Sequence, residues 1–218
     1  MLEELYPEFP GWSMNLERFL ESYHPESFTG AEETSEIREN IKQIYATILD
    51  AIIRMSGIRD RWEGPEFLPL NVYAGQEAYF RSTKLECPFH FGTDESGFFL
   101  STDLIYSENL RKMNDKFWFL VAELTNFGEL DIWENTFWED TKKRKQPWFH
   151  RKSGSRIFQL IRSSVALEKE EGDSAGIGML IIRWDFDTPW DELLDKGSAA
   201  FQNLYRINKA LKKKKRHK

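Results

Sequence analysis

Cysteine is nearly absent from this chain: Cys87 is the one thiol among 218 residues. A single cysteine cannot form an intrachain disulfide, which excludes the disulfide-stabilised architecture of many small secreted domains. The N-terminus is acidic, with Glu3 and Glu4 close to Met1, and it lacks the basic region and apolar run of a signal peptide. These absences indicate the cytoplasm or the nucleus, and we expect a cytoplasmic protein.

Long apolar runs are also missing from the sequence. The longest, at residues 117–122 and 179–182, are far shorter than the roughly 18 residues that a membrane-spanning helix needs. The sequence therefore predicts a soluble protein without a membrane partner.

The residue spacings that mark common metal sites do not occur. The four histidines, at positions 24, 90, 150 and 217, are scattered, and neither H-E-x-x-H nor C-x-x-C is present. Cys87 and His90 are three positions apart in a predicted strand, which directs their side chains to opposite faces. We expect Cys87 to be a buried structural residue, and we expect neither a metal nor a cofactor.

Apolar residues are plentiful, at 40% of the chain, and aromatic residues make up 15%. This is enough apolar surface to form a large core, because each buried aromatic ring removes roughly 150–250 Å² from water. The length predicts a single domain over residues 1–218, with an N-terminal arm at 1–34 and a basic tail at 213–218.

Two long helices are predicted from the spacing of apolar residues. Isoleucines at positions 37, 41, 44, 48 and 52 recur at intervals of four and three residues and predict a helix over Ser35–Ser56, which Gly57 would end. Thr188-Pro189 is a typical helix start, and the apolar positions that follow predict a helix over Pro189–Lys212. A third helical period covers Leu110–Leu124, with Ser107 as its predicted cap, although Phe117–Val121 is also compatible with a strand.

Short apolar runs between prolines and glycines predict strands. They lie at residues 70–73, 77–82, 87–91, 97–105, 129–139 and 179–187. The predicted fold class is therefore α+β: an antiparallel sheet packed against two long helices in a single domain.

Charge is strongly segregated along the chain. Thr141–Ala166 and Asn203–Lys218 contain no acidic residue and eight basic residues each. The rest of the chain contains the other 14 basic residues and all 36 acidic ones, which gives it a net charge of −22. The sequence thus predicts an acidic body with two basic segments.

The first basic segment interleaves cations with aromatic side chains, a pattern that suits an anionic partner. Its candidate binding residues are Lys142, Lys143, Arg144, Lys145, Trp148, Phe149, Arg151 and Lys152. The alternative is a solvated loop whose Trp148 and Phe149 pack into the core. The tail, Lys212–Lys218, resembles a nuclear-localisation or nucleic-acid-binding tail.

Carboxylates could instead hold a catalytic metal ion near a lysine. The candidates are Asp131 with Asp140 and Lys142, Glu168 with Glu170, and Asp185 with Asp187. We expect a non-catalytic binding or regulatory module that contacts a protein or an anionic partner through the basic-aromatic segment at residues 142–152. The alternative is a protein that binds nucleic acid or processes it with a metal ion.

Overall fold

The computed structural model describes residues 33–67, 76–94, 97–134 and 177–213. Helix α1 spans Glu33–Met55, close to its predicted bounds, and buries Ile44, Ile48 and Ile52. Gly57 follows with φ of +67°, the left-handed conformation that glycine readily adopts after a helix. The predicted helix and the glycine that ends it are confirmed.

A six-stranded sheet forms the second layer of the fold, with strand order β1-β2-β3-β4-β6-β5 and every neighbouring pair antiparallel. The strands are β1 (Trp62–Phe67), β2 (Gln76–Ser82), β3 (Cys87–Asp94), β4 (Gly97–Asp103), β5 (Glu129–Glu134) and β6 (Ile177–Trp184). The predicted α+β class is confirmed. The strand expected at residues 70–73 lies outside the described residues.

Strand β1 lies at an edge of the sheet, and no alternation of apolar residues predicts it. Its four inner residues, 63–66, are exposed, so both faces of the strand look polar in the sequence. Pro65 has no N–H to donate to a neighbouring strand, and proline in a sheet is therefore largely confined to edge strands. The Gly64–Pro65 peptide bond is cis.

The helix predicted over Leu110–Leu124 is divided into shorter elements. A 3-10 helix spans Ser107–Lys112, and α2 spans Asp115–Glu123 before a further 3-10 turn at Leu124–Asn126. The helical interpretation of residues 117–121 is therefore correct. Ser107 is not the cap of α2: the side chain of Asn114 accepts a hydrogen bond from the N–H of Phe117.

Helix α3 spans Trp190–Lys213, and its first turn begins with a hydrogen bond from the N–H of Leu193 to the carbonyl of Pro189, at 2.9 Å. The predicted start is thus correct to within a residue. Strand β6 ends earlier than expected, at Trp184, because the chain turns through residues 185–188 before the helix.

Helices α1 and α3 pack together on one face of the sheet. Phe201 of α3 lies 4.7 Å from Phe89 of β3 between ring centroids, and Tyr45 of α1 shares a 2.6 Å hydrogen bond with Thr93. At Gly197 of α3 an added Cβ would lie 3.1 Å from the Cδ1 of Ile52, so glycine permits the close approach of the two helices. This packing fixes the ends of the helices relative to the strand connections.

None of the described helices is both long enough and apolar enough to cross a membrane.

Candidate anion-binding cleft

A cleft of about 1070 Å³ opens where four parts of the fold meet. They are the loop that follows α1, the turn at residues 83–86 between β2 and β3, the second half of α3, and Tyr106 in the connection that follows β4. Leu85 lies in the wall of the cleft and is 4% exposed, so the cleft adjoins the hydrophobic core. The fold brings charged side chains from distant parts of the sequence into the lining of this one cleft.

Positive charge predominates in this cleft. Arg59, Lys84, Lys209 and Lys212 line it, and Glu86 is the one acidic residue among its lining. The lining therefore carries a net charge of +3, whereas the whole chain carries −6. A concave surface of one sign concentrates its field and attracts groups of the opposite sign.

Helical spacing explains the contribution of α3 to the cleft. Tyr205, Lys209 and Lys212 are separated by four and three residues, which places them along one side of the helix. Leu204 and Leu211 point into the core and hold that side in a fixed orientation. The two lysines are thus presented by a packed helix, not by a flexible loop.

Lys212, Glu86 and Tyr106 form a polar network at one end of the cleft. The Nζ of Lys212 lies 2.8 Å from the Oε2 of Glu86, and the Tyr106 hydroxyl donates to the same oxygen at 2.8 Å. The ammonium of Lys212 also lies 5.8 Å from the centre of the Tyr106 ring. The hydrogen bond to Glu86 is the main reason that the pKa of Lys212 is raised.

Lys84 and Lys212 connect the cleft walls by donating hydrogen bonds to backbone carbonyls. Lys84 donates to the carbonyl of Arg59 at 2.6 Å, and Lys212 donates to the carbonyl of Lys84 at 2.9 Å. These contacts join the loop after α1 to the β2–β3 turn and the turn to α3. They hold the basic groups together despite their mutual repulsion.

Arg59 and Lys209 differ from Lys84, whose ammonium donates to a backbone carbonyl, and from Lys212, which pairs with Glu86. Both are exposed, and within the described part of the chain neither forms an ion pair. An exposed cation in a concave site can pair with an incoming anion without first losing an internal partner. These two side chains are therefore the strongest candidates for direct contact with a ligand.

Asp60 lies beside the cleft and connects β2 to α3 through hydrogen bonds. The carboxylate accepts hydrogen bonds from Tyr205 at 2.7 Å and from Ser82 at 2.5 Å. Burial raises the pKa of Asp60, but hydrogen bonds from Ser82, Tyr205 and the N–H of Arg61 outweigh that effect, so its pKa lies below the ordinary value. The network favours the ionised carboxylate and fixes Tyr205 in the cleft wall.

The predicted basic-aromatic segment falls between β5 and β6, in a part of the sequence outside the described ranges. Lys142, Lys143, Arg144, Lys145, Trp148, Phe149, Arg151 and Lys152 all lie outside the described residues. Of the predicted tail, Lys212 belongs to α3 and is paired with Glu86. Residues 214–218 lie outside the described residues, and the chain enters them one helical residue after Lys212.

The structure does not bring the described candidate acids together. Asp131 is buried on β5, where it accepts from the N–H of Ile132 at 2.8 Å and lies 3.4 Å from the Nε of Arg183. Asp185 and Asp187 are exposed beyond the end of β6, so their predicted positions within a strand are wrong. Asp140, Glu168 and Glu170 fall outside the described ranges. Across those ranges, no group of three or more histidine, cysteine or acidic residues could hold a metal ion.

Cys87 and His90 lie on opposite faces of β3, as the strand period predicts. Cys87 is 1% exposed and lies among core side chains. His90 is 5% exposed on the other face, with its Nδ1 3.4 Å from the Oε1 of Glu77. Neither ring nitrogen of His90 makes a hydrogen bond within the described structure, and neither does the buried hydroxyl of Ser101.

A nucleophile-type spacing, G-x-S-x-G, is present at Gly172, Ser174 and Gly176. These residues lie outside the described ranges. In a nucleophile elbow the serine sits between a strand and a helix, whereas strand β6 begins directly after Gly176. The order of elements does not match that of an elbow.

The cleft residues other than those of α3 carry no signal in the sequence. Arg59, Lys84 and Glu86 are isolated charges in regions of mixed charge, and only the chain fold places them beside Lys209. The usable signal was the acid-free stretch that begins at Asn203, combined with the helical period of Tyr205, Lys209 and Lys212. Together they predict one basic side of a helix but not the cleft that it faces.

Comparison with protein-family models, with curated proteins and with solved structures finds no match for this chain. The chemistry of the described residues therefore provides the basis for a functional proposal.

Proposed function

We propose that this protein is a non-catalytic binding module that holds an acidic segment of a partner protein in the cleft. The observation that carries the proposal is the pair of exposed cations, Arg59 and Lys209, in a lining with a net charge of +3. A cleft of about 1070 Å³ is larger than a single small anion requires and suits a short stretch of polypeptide.

The bonding within the cleft supports a carboxylate ligand. The cleft already holds one carboxylate, that of Glu86, through an ammonium group and a tyrosine hydroxyl. A glutamate or aspartate of a partner would present the same chemical group to Arg59 and Lys209. Arginine is well suited to this role, because its planar guanidinium can bind a carboxylate through two parallel hydrogen bonds.

Other features favour an acidic peptide over a nucleic acid. Tyr106 and Tyr205 are only 5% and 6% exposed, so they do not offer open ring faces on which bases could stack. The chain as a whole carries −6, which repels an extended polyanion once it passes beyond the cleft. A short acidic segment meets only the local positive field.

Direct titration tests the proposal, with a fluorescently labelled polyglutamate peptide as the probe. We expect the double variant Arg59→Gln/Lys209→Gln to bind the peptide roughly 2- to 30-fold more weakly, because each exposed ion pair contributes about 0.2–1 kcal/mol. Fluorescence anisotropy at low ionic strength would measure this, since salt screens exposed charges. Absence of peptide binding by the unaltered protein would refute the proposal.

The matched control is Lys116→Gln/Lys196→Gln. It removes the same net charge from α2 and from the first half of α3, away from the cleft lining. If the control weakens binding as much as the cleft variant, attraction depends on overall charge and the cleft is not the site.

A single-stranded oligonucleotide titrated in parallel tests nucleic acid as the alternative partner. Tighter oligonucleotide than peptide binding, falling steeply with salt, would replace the proposed partner with a nucleic acid.

A further inference from the structure

Glu86 occupies an unusual position at the end of the β2–β3 turn. Its φ is +60°, and its N–H donates to the carbonyl of Ser82 at 2.8 Å. This left-handed conformation is unfavourable for residues other than glycine, asparagine and aspartate. The turn would form more readily with glycine, so the backbone gives no reason for a glutamate here, and its carboxylate must be considered on its own.

The carboxylate of Glu86 lies inside the positive cleft and neutralises part of its charge. It contacts Lys212 and Tyr106, each at 2.8 Å, while the side chain remains 61% exposed. Lys212 is 32% exposed at its side chain. Such a solvent-accessible ion pair is weak, and its long side chains can exchange partners readily. Glu86 thus stands where the carboxylate of an external ligand would otherwise pair with Lys212.

We propose that Glu86 is an internal competitor that lowers the affinity of the cleft for acidic ligands by occupying Lys212. The inference rests on the proposed function of the cleft. A ligand would first pair with Arg59 and Lys209 and would then displace Glu86 from Lys212 to gain a third cation. The apparent affinity is reduced in proportion to the fraction of molecules in which Lys212 is occupied.

The test compares Glu86→Gln with the unaltered protein, using the same labelled polyglutamate peptide. Glutamine keeps the length of the side chain but removes its charge, and we expect the peptide to bind about 2- to 5-fold more tightly. Glu129→Gln is the matched control, because it removes one exposed negative charge from β5, which forms the edge of the sheet opposite β1. We expect the control to change affinity much less. Circular dichroism would show that both variants remain folded.

A double-mutant cycle with Lys212→Gln separates competition from simple repulsion. If Glu86 acts by occupying Lys212, the gain from Glu86→Gln disappears in the Lys212→Gln background. A gain that persists there would mean that Glu86 only repels the ligand, and it would overturn the inference.

The possible failures are distinguishable. If Arg59→Gln/Lys209→Gln weakens binding but Glu86→Gln does not strengthen it, only the competitor role is refuted. If neither the unaltered protein nor Glu86→Gln binds polyglutamate, the proposed function fails, and the competitor role fails with it.

Discussion

Cys87 shows how the environment of one residue determines its chemistry. The thiol lies at the start of β3 among the core side chains and is 1% exposed. Burial raises the pKa of Cys87 to about 12, because a thiolate cannot be solvated in the core, and this outweighs the opposing hydrogen bond with Thr102. A thiol with so high a pKa is protonated at neutral pH, and the thiolate is the nucleophilic form.

We therefore predict that Cys87 does not react with a disulfide reagent such as dithiobis(nitrobenzoate) in the folded protein at neutral pH. In denaturing urea the thiol is exposed and its pKa returns to the ordinary range, so it should react fully. Absorbance of the released thiolate, with and without urea, measures both states. Rapid and complete labelling without urea would show that the thiol is accessible in the native state, contrary to the structure.

The residue scale also shows why sequence predicts burial better than it predicts the site. Cys87 and His90 were correctly assigned to opposite faces of a strand because alternation is a property of the local backbone. Arg59, Lys84 and Lys209 could not be grouped, since their proximity depends on how α1, the β2–β3 turn and α3 pack. Nor does the sequence reveal that Lys212 pairs with Glu86, 126 positions away.

At the scale of elements, Asp60 is the point where a loop, a strand and a helix meet. Its carboxylate binds Ser82 at the end of β2 and Tyr205 in the middle of α3. The pKa of Asp60 is lowered from 3.8, although burial alone would raise it, because these hydrogen bonds favour the charged form. A carboxylate whose pKa is lower in the folded state stabilises the protein above its unfolded pKa and loses that effect as pH falls through the folded value.

Asp60→Asn should therefore destabilise the protein at neutral pH by about 1 kcal/mol, a modest value because the carboxylate is only partly buried. The difference from the unaltered protein should shrink as the pH falls through the lowered pKa of folded Asp60, where protonation removes the same charge. Urea unfolding at neutral and at acidic pH would measure both differences. Asp195→Asn, at an exposed position of α3, provides the control. An equal loss at both pH values would mean that the charge of Asp60 is not the source of the effect.

The long helices were predictable because their apolar residues follow the helical period over many turns, as Ile44, Ile48 and Ile52 show. The edge strand β1 was not, because its exposed glutamates and Pro65 satisfy no burial pattern. The helix predicted over Leu110–Leu124 is interrupted at Met113 and Asn114. There the Asn114 side chain starts a new helix, a local hydrogen bond that apolar periodicity does not register.

At the scale of the whole molecule, charge distribution and fold act together. The chain carries −6 overall, yet the sequence continues from the cleft residues Lys209 and Lys212 into a run of cations. Charges near a binding site act mainly on the rate of association, whereas groups in contact with the ligand act mainly on the rate of dissociation. The two basic segments can thus be separated by kinetics even though they contribute the same sign.

Two variants with the same net charge make this separation. Each variant lacks four basic residues, so its formal charge is −10 instead of −6. The first variant has serine in place of Lys142, Lys143, Arg144 and Lys145. The second has glutamine in place of Lys214, Lys215, Arg216 and Lys218. We expect both variants to associate more slowly with polyglutamate at low salt, and we expect the difference from the unaltered protein to fade as salt rises.

If residues 142–152 also touch the partner, as their interleaved aromatic residues predict, the first variant should in addition dissociate faster. Stopped-flow fluorescence gives both rates. Unchanged rates in the two variants would restrict the attraction to the cleft itself, and equal dissociation rates would assign residues 142–145 to long-range attraction alone.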